Sequence, residues 1–362
     1  RFDPRRVWAR LEDGGLTLRA SGVELSGPGV SGQEAAAARY LERLFMSGDV
    51  SFARFFGRLE AAAAGGALAP ALSGVTLGAS MAGEAATFEL ARDRFDALLD
   101  CGATGGRSVS AGGACLTLLG SGRDLSQDGD GEAGYDGQAW TAGFSGTLEV
   151  APGWLVSGVL GWETLNLREQ GGGSSVDGTT GFVGAGVTRE MGPLALSAAA
   201  TAGWSEFDAS RAQGLLAPGA AESEHGALSL GARVRAAWTR QLSGGWLRPS
   251  LDLDLIHVAA EGYAESGAGR SSLRVADSEA TAFVVTPSLE AGLARDLGDD
   301  LGLRAWARAG VSLSTLDSYD ATARFAVDAT GTPGFVNGVA QSQAVGRIGL
   351  GASLQAGERV DV

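Results

Sequence analysis

From residue 139 to residue 356 the chain repeats one pattern, in which apolar residues alternate with small, polar or charged ones over long stretches. In the clearest stretch, residues 227–241, one set of positions is apolar: Leu228, Leu230, Val234, Ala236 and Trp238. The positions between them are small or polar: Ser229, Gly231, Arg233, Arg235, Ala237, Thr239 and Gln241. Because successive side chains leave opposite faces of a strand, this period of two predicts extended β-structure.

About ten such strands are predicted, near residues 114–123, 138–151, 154–168, 177–191, 194–209, 221–242, 246–262, 278–297, 302–319 and 342–358. Short turns alternate with longer polar connections, an arrangement typical of the periplasmic turns and extracellular loops of outer-membrane barrels. The long connections are 127–136, 169–178, 210–224, 262–277 and 320–341. Strands of a soluble sandwich would also alternate, but they usually have only ~5–6 residues. The sequence therefore predicts an all-β membrane protein, an antiparallel up-and-down transmembrane β-barrel.

The polar face of these strands carries charges of both signs. An unpaired buried charge costs several kcal/mol, so this face must meet water or opposite charges. We therefore expect a wet lumen lined by Arg233, Arg235, Arg248, Asp252, Asp254, Arg304, Arg308 and Arg347. A helical membrane protein is excluded, because no stretch approaches the roughly 18 consecutive apolar residues that a spanning helix needs.

The first 100 residues differ from this pattern. Residues 1–30 are predicted as short strands around an Asp-Gly-Gly turn. A helix then starts after Ser31, with Glu34 at the capping-box spacing, and further helices are predicted over 50–64 and 83–99. Cys101 and Cys115 enclose a Gly- and Ser-rich loop, and in an exported protein two nearby cysteines form a disulfide.

Composition and motifs argue against several functions. The net charge of −14 and the pI near 4.7 argue against nucleic-acid binding. His225 and His257 have no nucleophile partner by motif, and Asp252 with Asp254 is better interpreted as lumen wall than as a cation site. We predict no enzymatic activity, catalytic residue, metal or cofactor. Since the chain begins without Met, it is interpreted as part of a longer exported precursor.

The order of parts resembles a known family. The matching pieces are GGLTLRASG near the N-terminus, SGQEAAAARYLERL in the helical region, the cysteine loop, and GYDGQAWTAGFSGTLEVAPGWLVSGVLGWETLNL over residues 134–167. Together they resemble the C-terminal half of autotransporters, the type V secretion proteins of Gram-negative bacteria. The resemblance implies a twelve-stranded outer-membrane barrel with a helix through its pore, which exports its own N-terminal passenger to the cell surface.

Carried onto this chain, the resemblance assigns residues 1–30 to the end of the passenger, 31–100 to a helical linker and 101–362 to the barrel. The candidate pore helix is 84–99, whose charged residues would face the lumen: Glu84, Glu89, Arg92, Asp93, Arg94 and Asp96. Alternatively, the helices pack together outside the pore. The chain departs from the family in having ten predicted strands and in ending at Val362 without a terminal aromatic residue, so we expect a C-terminus trimmed by roughly two strands.

The partners implied are outer-membrane lipid, the passenger, the barrel assembly machinery and periplasmic chaperones, with the translocator itself a monomer. Two other functions stay open at this point, a porin-like channel and an outer-membrane barrel hydrolase. A porin starts directly with a strand, and its large steady current would be unchanged by deletion of residues 31–100. A hydrolase would need a nucleophile–base pair that the sequence does not reveal.

The translocator interpretation makes one prediction about topology. A protease added to intact cells that produce the full-length precursor should cut the chain upstream of Arg1, because that part would lie outside the cell. Immunoblotting of the cell-associated fragments measures this. An upstream segment that survives on intact cells but is digested after lysis would contradict the interpretation.

Overall fold

The computed structural model describes most of the chain, in the ranges 7–12, 15–20, 25–26, 30, 32–47, 49, 52–99, 114–129, 133–170, 172–213, 219–298, 301–356 and 360–361. An antiparallel hairpin comes first, with β1 (Val7–Glu12) paired to β2 (Gly15–Ala20). The helical region follows: α1 (Gly32–Met46), α2 (Ala53–Ala64), α3 (Leu68–Ser73), a 3₁₀ turn (Gly78–Met81) and α4 (Ala82–Leu99). Ser31 and Cys101 lie outside the described residues.

The main sheet follows α4 and is antiparallel throughout. Its long strands are β3 (Ala114–Gln127), β4 (Tyr135–Ala151), β5 (Trp154–Glu169), β6 (Ser174–Met191), β7 (Leu194–Ala212) and β8 (Ala220–Trp238). After the short β9 (Arg240–Leu242) comes β10 (Gly245–Ala260). Each strand pairs with the next along the chain, the pattern of an up-and-down sheet, and β9 pairs with β10 alone.

A second, smaller sheet is inserted before the main sheet is complete. The chain passes through β11 (Tyr263–Ala264) and β12 (Leu273–Val275), returns to the main sheet as β13 (Ser278–Gly298) and β14 (Leu301–Ser314), and leaves it again as β15 (Ser318–Phe325) and β16 (Phe335–Ala340). It then completes the main sheet with β17 (Ala344–Ala356) and β18 (Val360–Asp361). We call β11, β12, β15 and β16 the loop sheet, since they form a separate four-stranded sheet.

The predicted fold class is confirmed, and all ten predicted long strands are present. Two predictions of local structure were wrong. The connections 262–277 and 320–341 contain the loop sheet rather than irregular loops, and the strand predicted over 302–319 ends at Ser314. The reason is that the alternating buried residues of β15, Tyr319, Ala321, Ala323 and Phe325, pack against the helical region, where Phe325 meets Tyr40 and Tyr319 meets Phe88.

The two faces of the main sheet have opposite character. On β10, Leu251, Leu253 and Leu255 are exposed, whereas Asp252 and Asp254 between them are buried. Large apolar side chains point outward in the same way on every long strand, and Trp154 and Trp238 are exposed beside the short turns. A band of outward apolar residues with aromatic residues at its edge is the surface of a lipid-facing barrel. No helix in the described ranges is long and apolar enough to span a membrane.

The main sheet curls around α4. This helix contacts β4 to β8 and β10 along its length, and β15 and β16 near its start. Of its 18 residues, 14 are buried, including Arg92 and Arg94. Close contact is possible because glycines face the helix; a Cβ on Gly231 would lie 2.7 Å from the Phe95 ring.

The two ends of the main sheet approach each other at the side of the long connections. In the described part of the chain, β3 and β18 each pair with one strand only. Ser342, just before β17, donates a hydrogen bond to the side chain of Gln127 at the end of β3 (2.9 Å). Ala133, just before β4, also pairs with Val339 of β16. The two ends of the curled sheet therefore lie close together at this side, although β3 and β18 do not pair with each other in the described residues.

The outward face of β10 gives a prediction about lipid contact. Leu253 lies at the middle of the strand, so Leu253→Arg should lower the free energy of unfolding in phospholipid vesicles by about 2–4 kcal/mol, since a charge at the bilayer midplane is poorly solvated. Urea titration followed by tryptophan fluorescence measures the loss. Leu253→Ala is the matched control without charge; equal stability of the two variants would place Leu253 away from lipid.

Candidate functional site: a charged helix inside the sheet

The candidate site is the boundary between α4 and the lumen wall. The helix runs beside β8 in the same direction, so its residues meet that strand in order. Glu84 contacts His225, Arg94 contacts Ser229 and Phe95 faces Gly231. Further along, Leu99 comes close to Gly186, near the short turn that follows β6. The start of α4 therefore lies at the long-loop end of the lumen, and its last turn lies at the short-turn end.

At the centre of the site, two arginines of β8 face two aspartates of β10. The strand register places Arg233 opposite Asp254 and Arg235 opposite Asp252. Arg233 donates to both carboxylate oxygens of Asp254 (2.6 and 2.8 Å), and Arg235 donates to both oxygens of Asp252 (2.7 and 3.0 Å). Such two-point pairs fix geometry as well as charge.

Asp96 joins α4 to this cluster. Its Oδ1 accepts from Arg233 Nη1 (2.5 Å) and from Arg235 Nη2 (2.7 Å), so one helix carboxylate bridges both wall arginines. Arg308 of β14 extends the cluster, with its guanidinium 3.6 Å from Asp252. Five predicted lumen charges and one predicted helix charge therefore meet in one network.

Arg92 makes the second connection between α4 and the wall. Its Nε donates to Asp254 Oδ2 (3.3 Å), and its Nη2 donates to the hydroxyls of Thr286 (2.8 Å) and Ser312 (2.6 Å) on β13 and β14. The side chain is 2% exposed. These contacts tie the helix to strands on the same side of the lumen as the central cluster.

Arg94 points to the opposite wall. Its guanidinium pairs with Glu163 of β5 (Nη2 to Oε2, 2.5 Å) and donates to Ser229 (2.9 Å), while the Phe182 ring lies 5.2 Å from its Cζ. Both charged side chains are at most 2% exposed. The helix is therefore held by buried ion pairs on two sides of the lumen.

Glu89 and Asp93 lie near the two ends of the sheet. Arg347 of β17 donates to Glu89 (2.7 Å) and lies 3.6 Å from Asp93, and Asp93 pairs with Arg123 of β3 (2.8 Å). These side chains are about one-third exposed or less. We therefore expect each of these ion pairs to contribute less to the free energy of unfolding than the buried pairs do. Through Asp93, α4 links the two end regions of the main sheet.

Glu84 meets His225 at the start of α4. Their side chains are 2.8 Å apart and buried, and the Tyr263 ring stacks on the imidazole with centroids 4.3 Å apart. His225 lies inside β8, on the buried face. His257 is on the partly exposed face, where Nδ1 contacts the Thr281 hydroxyl (2.9 Å).

The remaining predicted residues lie further from the helix. Arg304 stacks on Trp246 of β10 (5.2 Å), and Arg248 lines a small cavity with Arg235, Ser250, Glu290 and Arg308. Cys115 is the second residue of β3 and is disulfide-bonded. The other cysteine in the sequence is Cys101, which lies outside the described residues.

Sequence reasoning missed several wall residues that meet the helix region: Arg123, Glu163, Arg211 and His225. A signal for them existed, since each occupies an inward position in its strand; Glu163 shares its parity with the buried Val159 and Leu165. The alternation could not predict which residues of strands far apart in the chain would come close to the helix.

The central cluster satisfies the physical requirements for burying charge at Asp254. A buried ion pair is stable only when the remaining lone pairs and protons also find partners. Asp254 meets this condition, because both of its oxygens accept from Arg233 and one also accepts from Arg92. Within the described ranges, no three His, Cys, Asp or Glu side chains are grouped to bind a metal ion.

The helix does not fill the lumen completely. A polar cavity of about 520 Å³ lies between α4 and the strands β3, β14 and β17. Its wall includes Glu89, Asp96, Arg123, Arg308 and Arg347. Space beside the helix therefore remains next to the ion pairs.

Comparison with known proteins gives four findings. The model of the Autotransporter beta-domain family matches residues 117–362. The chain is similar to the translocator domain of the autotransporter NalP from Neisseria meningitidis, with a TM-score of 0.56 and 15% sequence identity over 75% of this chain and 96% of that one, which shows a shared fold. It also matches the beta domain of the Bordetella autotransporter BrkA (TM-score 0.46, 14% identity, 68% of this chain and 99% of that one). A sequence search of curated proteins finds no match.

The central cluster predicts a specific loss of stability. Asp254→Ala leaves Arg92 and Arg233 buried without their shared partner, so the free energy of unfolding should fall by about 3–5 kcal/mol. Urea titration in lipid vesicles measures it. Asp208→Ala, an exposed carboxylate on β7, is the control and should change stability by about 0.5 kcal/mol or less. An Asp254→Ala loss no larger than the control's would contradict the network.

Proposed function

This chain belongs to the autotransporter beta-domain family, outer-membrane translocators of Gram-negative bacteria that carry their own passenger domain, and on that premise we propose that α4 is the segment that tethers the passenger through the lumen. The protein is a transport module, and its finer mechanism is the subject of the proposal. In it, the barrel inserts in the outer membrane, the passenger is exported, and α4 remains inside as the last part of the exported chain.

One observation carries the proposal: each charged residue of α4 has a complementary partner on the wall. Glu89, Arg92, Asp93, Arg94 and Asp96 all form ion pairs with strand residues, and Glu84 contacts His225. These partners come from strands on all sides of the helix. A helix that packed outside the pore would have no reason to match the inner face of the barrel at six positions.

The geometry gives the helix two tasks. The ion pairs fix its register along the lumen axis, because a shift of one residue would rotate Arg92 and Asp96 away from β8 and β10. The direction of α4 then sets the topology. Since its first turn is at the long-loop end, which faces the cell exterior in such barrels, the chain upstream of Ala82 continues outward. A fixed helix thus anchors an external passenger.

The same proposal assigns the parts of the chain. Residues 1–30 would be the end of the passenger, 31–100 the linker with its pore helix 84–99, and 101–362 the barrel. A Cys101–Cys115 disulfide would close the connection from α4 to β3 at the short-turn end, in the oxidising periplasm. One chain encloses one helix here, which supports a monomeric translocator. Insertion by the barrel assembly machinery with periplasmic chaperones stays a prediction.

Protease protection tests whether α4 occupies the lumen in the membrane. Digestion of intact cells should leave a fragment that begins upstream of Ala82, because cleavage should occur at the exposed stretch around residues 64–66 and α4 would be shielded by the barrel. N-terminal sequencing of the membrane-bound fragment identifies its start. A fragment that begins beyond Leu99 would contradict the proposal.

A charge variant makes the same test sharper. Glu163→Arg places two cations together in the buried contact with Arg94, so the helix should be displaced and the protected fragment should shorten towards Ala114. The double variant Arg94→Glu with Glu163→Arg restores opposite charges and should restore the longer fragment. Asp208→Ala again serves as the control. Identical fragments from all variants would show that the pair does not hold the helix.

A further inference from the structure

Above α4, the chain crosses the mouth of the lumen in an ordered and fully buried form. We call residues 74–79 the crossing segment; it joins α3 to the 3₁₀ turn that leads into α4. Every residue of this segment is buried. The turn contacts β5, β6 and β7 on one side and β16 of the loop sheet on the other. The chain therefore passes between the barrel wall and the loop sheet at the outer end.

Three polar side chains clamp the crossing segment. Arg211 of β7, itself paired with Glu265, donates to the carbonyl of Gly74. The Leu77 amide donates to Asn337 Oδ1 on β16 (2.7 Å), and the Ala79 amide donates to Ser174 Oγ on β6 (3.2 Å). Because these clamps lie on different strands, the segment is bonded to both sides of the mouth.

The crossing segment fits closely against the wall at its fifth residue, Gly78. Gly78 has a φ of +54°, in the left-handed region that side chains disfavour. A Cβ there would also lie 2.7 Å from a carboxylate oxygen of Glu169 and would overlap the Ser174 hydroxyl. A side chain at this position would push the segment away from β6.

The α1 helix covers the loop sheet from outside. Tyr40 donates to Asp328 (2.9 Å) and accepts from the Phe325 amide (3.0 Å), while Gln33 donates to the Gly338 carbonyl (2.5 Å). Burial raises the pKa of the Tyr40 phenol, so the hydroxyl remains protonated and can serve as this donor. Phe52 stacks on Phe325 with ring centroids 5.3 Å apart. One continuous apolar cluster joins Tyr40, Phe52 and Phe325 to Met81 of the 3₁₀ turn and Phe88 of α4.

We propose that the crossing segment, held by its three clamps and covered by α1, is a second closure of the translocation pore at its outer end. The inference rests on the proposed function of α4. The helix alone leaves the polar cavity of about 520 Å³ beside it, a volume large enough for many waters and small ions. The outer closure blocks the passage of water and small ions beside the helix after export, so that they do not cross the outer membrane through the lumen.

Single-channel recording in planar bilayers tests this closure. The purified protein and the Gly66→Ala control should show little current; Gly66 also has a positive φ (+74°), but nothing lies within 4 Å of an added Cβ. Gly78→Ala and, separately, Asn337→Ala should each raise the mean current several-fold, with the protease-protected fragment still beginning upstream of Ala82. Heat-dependent migration in gels shows that each barrel is folded.

Two results would overturn the outer closure. The first is wild-type current from both Gly78→Ala and Asn337→Ala when their barrels are folded. The second is a large steady current from the wild-type protein. In the second case the protected fragment distinguishes the two proposals. A fragment that contains α4 would contradict only the proposed outer closure. A fragment that begins beyond Leu99 would show that the helix is not in the lumen.

Discussion

The structure depends on the need to neutralise charge inside a barrel whose outside must be apolar. Two pairs of opposite strand residues, Arg233 with Asp254 and Arg235 with Asp252, are almost completely buried, yet they leave hydrogen-bonding capacity that strand neighbours alone do not fill. Asp96 and Arg92 of α4 supply the missing partners. The wall and the helix therefore depend on each other, since removing either one would leave charges of the other without their ion-pair partners.

In the proposed function, this mutual requirement would allow one segment to be both the end of the exported chain and the group that fills the pore. During export the lumen must admit an extended chain, and a wet, charged wall offers it no strong apolar contact to bind. Once α4 entered in register, its charges would meet fixed partners on opposite sides, so the helix would stop at one position. The crossing segment adds a constraint of another kind, with backbone hydrogen bonds and a tight glycine contact at the mouth. In the proposed mechanism the ion pairs set the position and the outer contacts complete the closure.

Much of this molecule could be predicted from residue order. The ten long strands, their outward leucines and the inward charges follow from a period of two, and the helix over 83–99 follows from its apolar spacing. The loop sheet could not be predicted in this way, because its strands are short and β12 pairs with β15 across about fifty residues. Glu163 was missed for a related reason. Its inward position was readable, but its partner Arg94 lies 69 residues earlier in the chain.

The sequence by itself determined the architecture, because alternation is a local property that each strand carries within its own residues. It also determined which charges point inward. Only the tertiary structure decided which of them meet. The curl of the sheet brings β3, β5, β8, β10 and β17 around one helix, and that closure depends on strand twist and register summed over the whole sheet. The clamps on residues 74–79 arise in the same way, from strands that touch only after the sheet has curled.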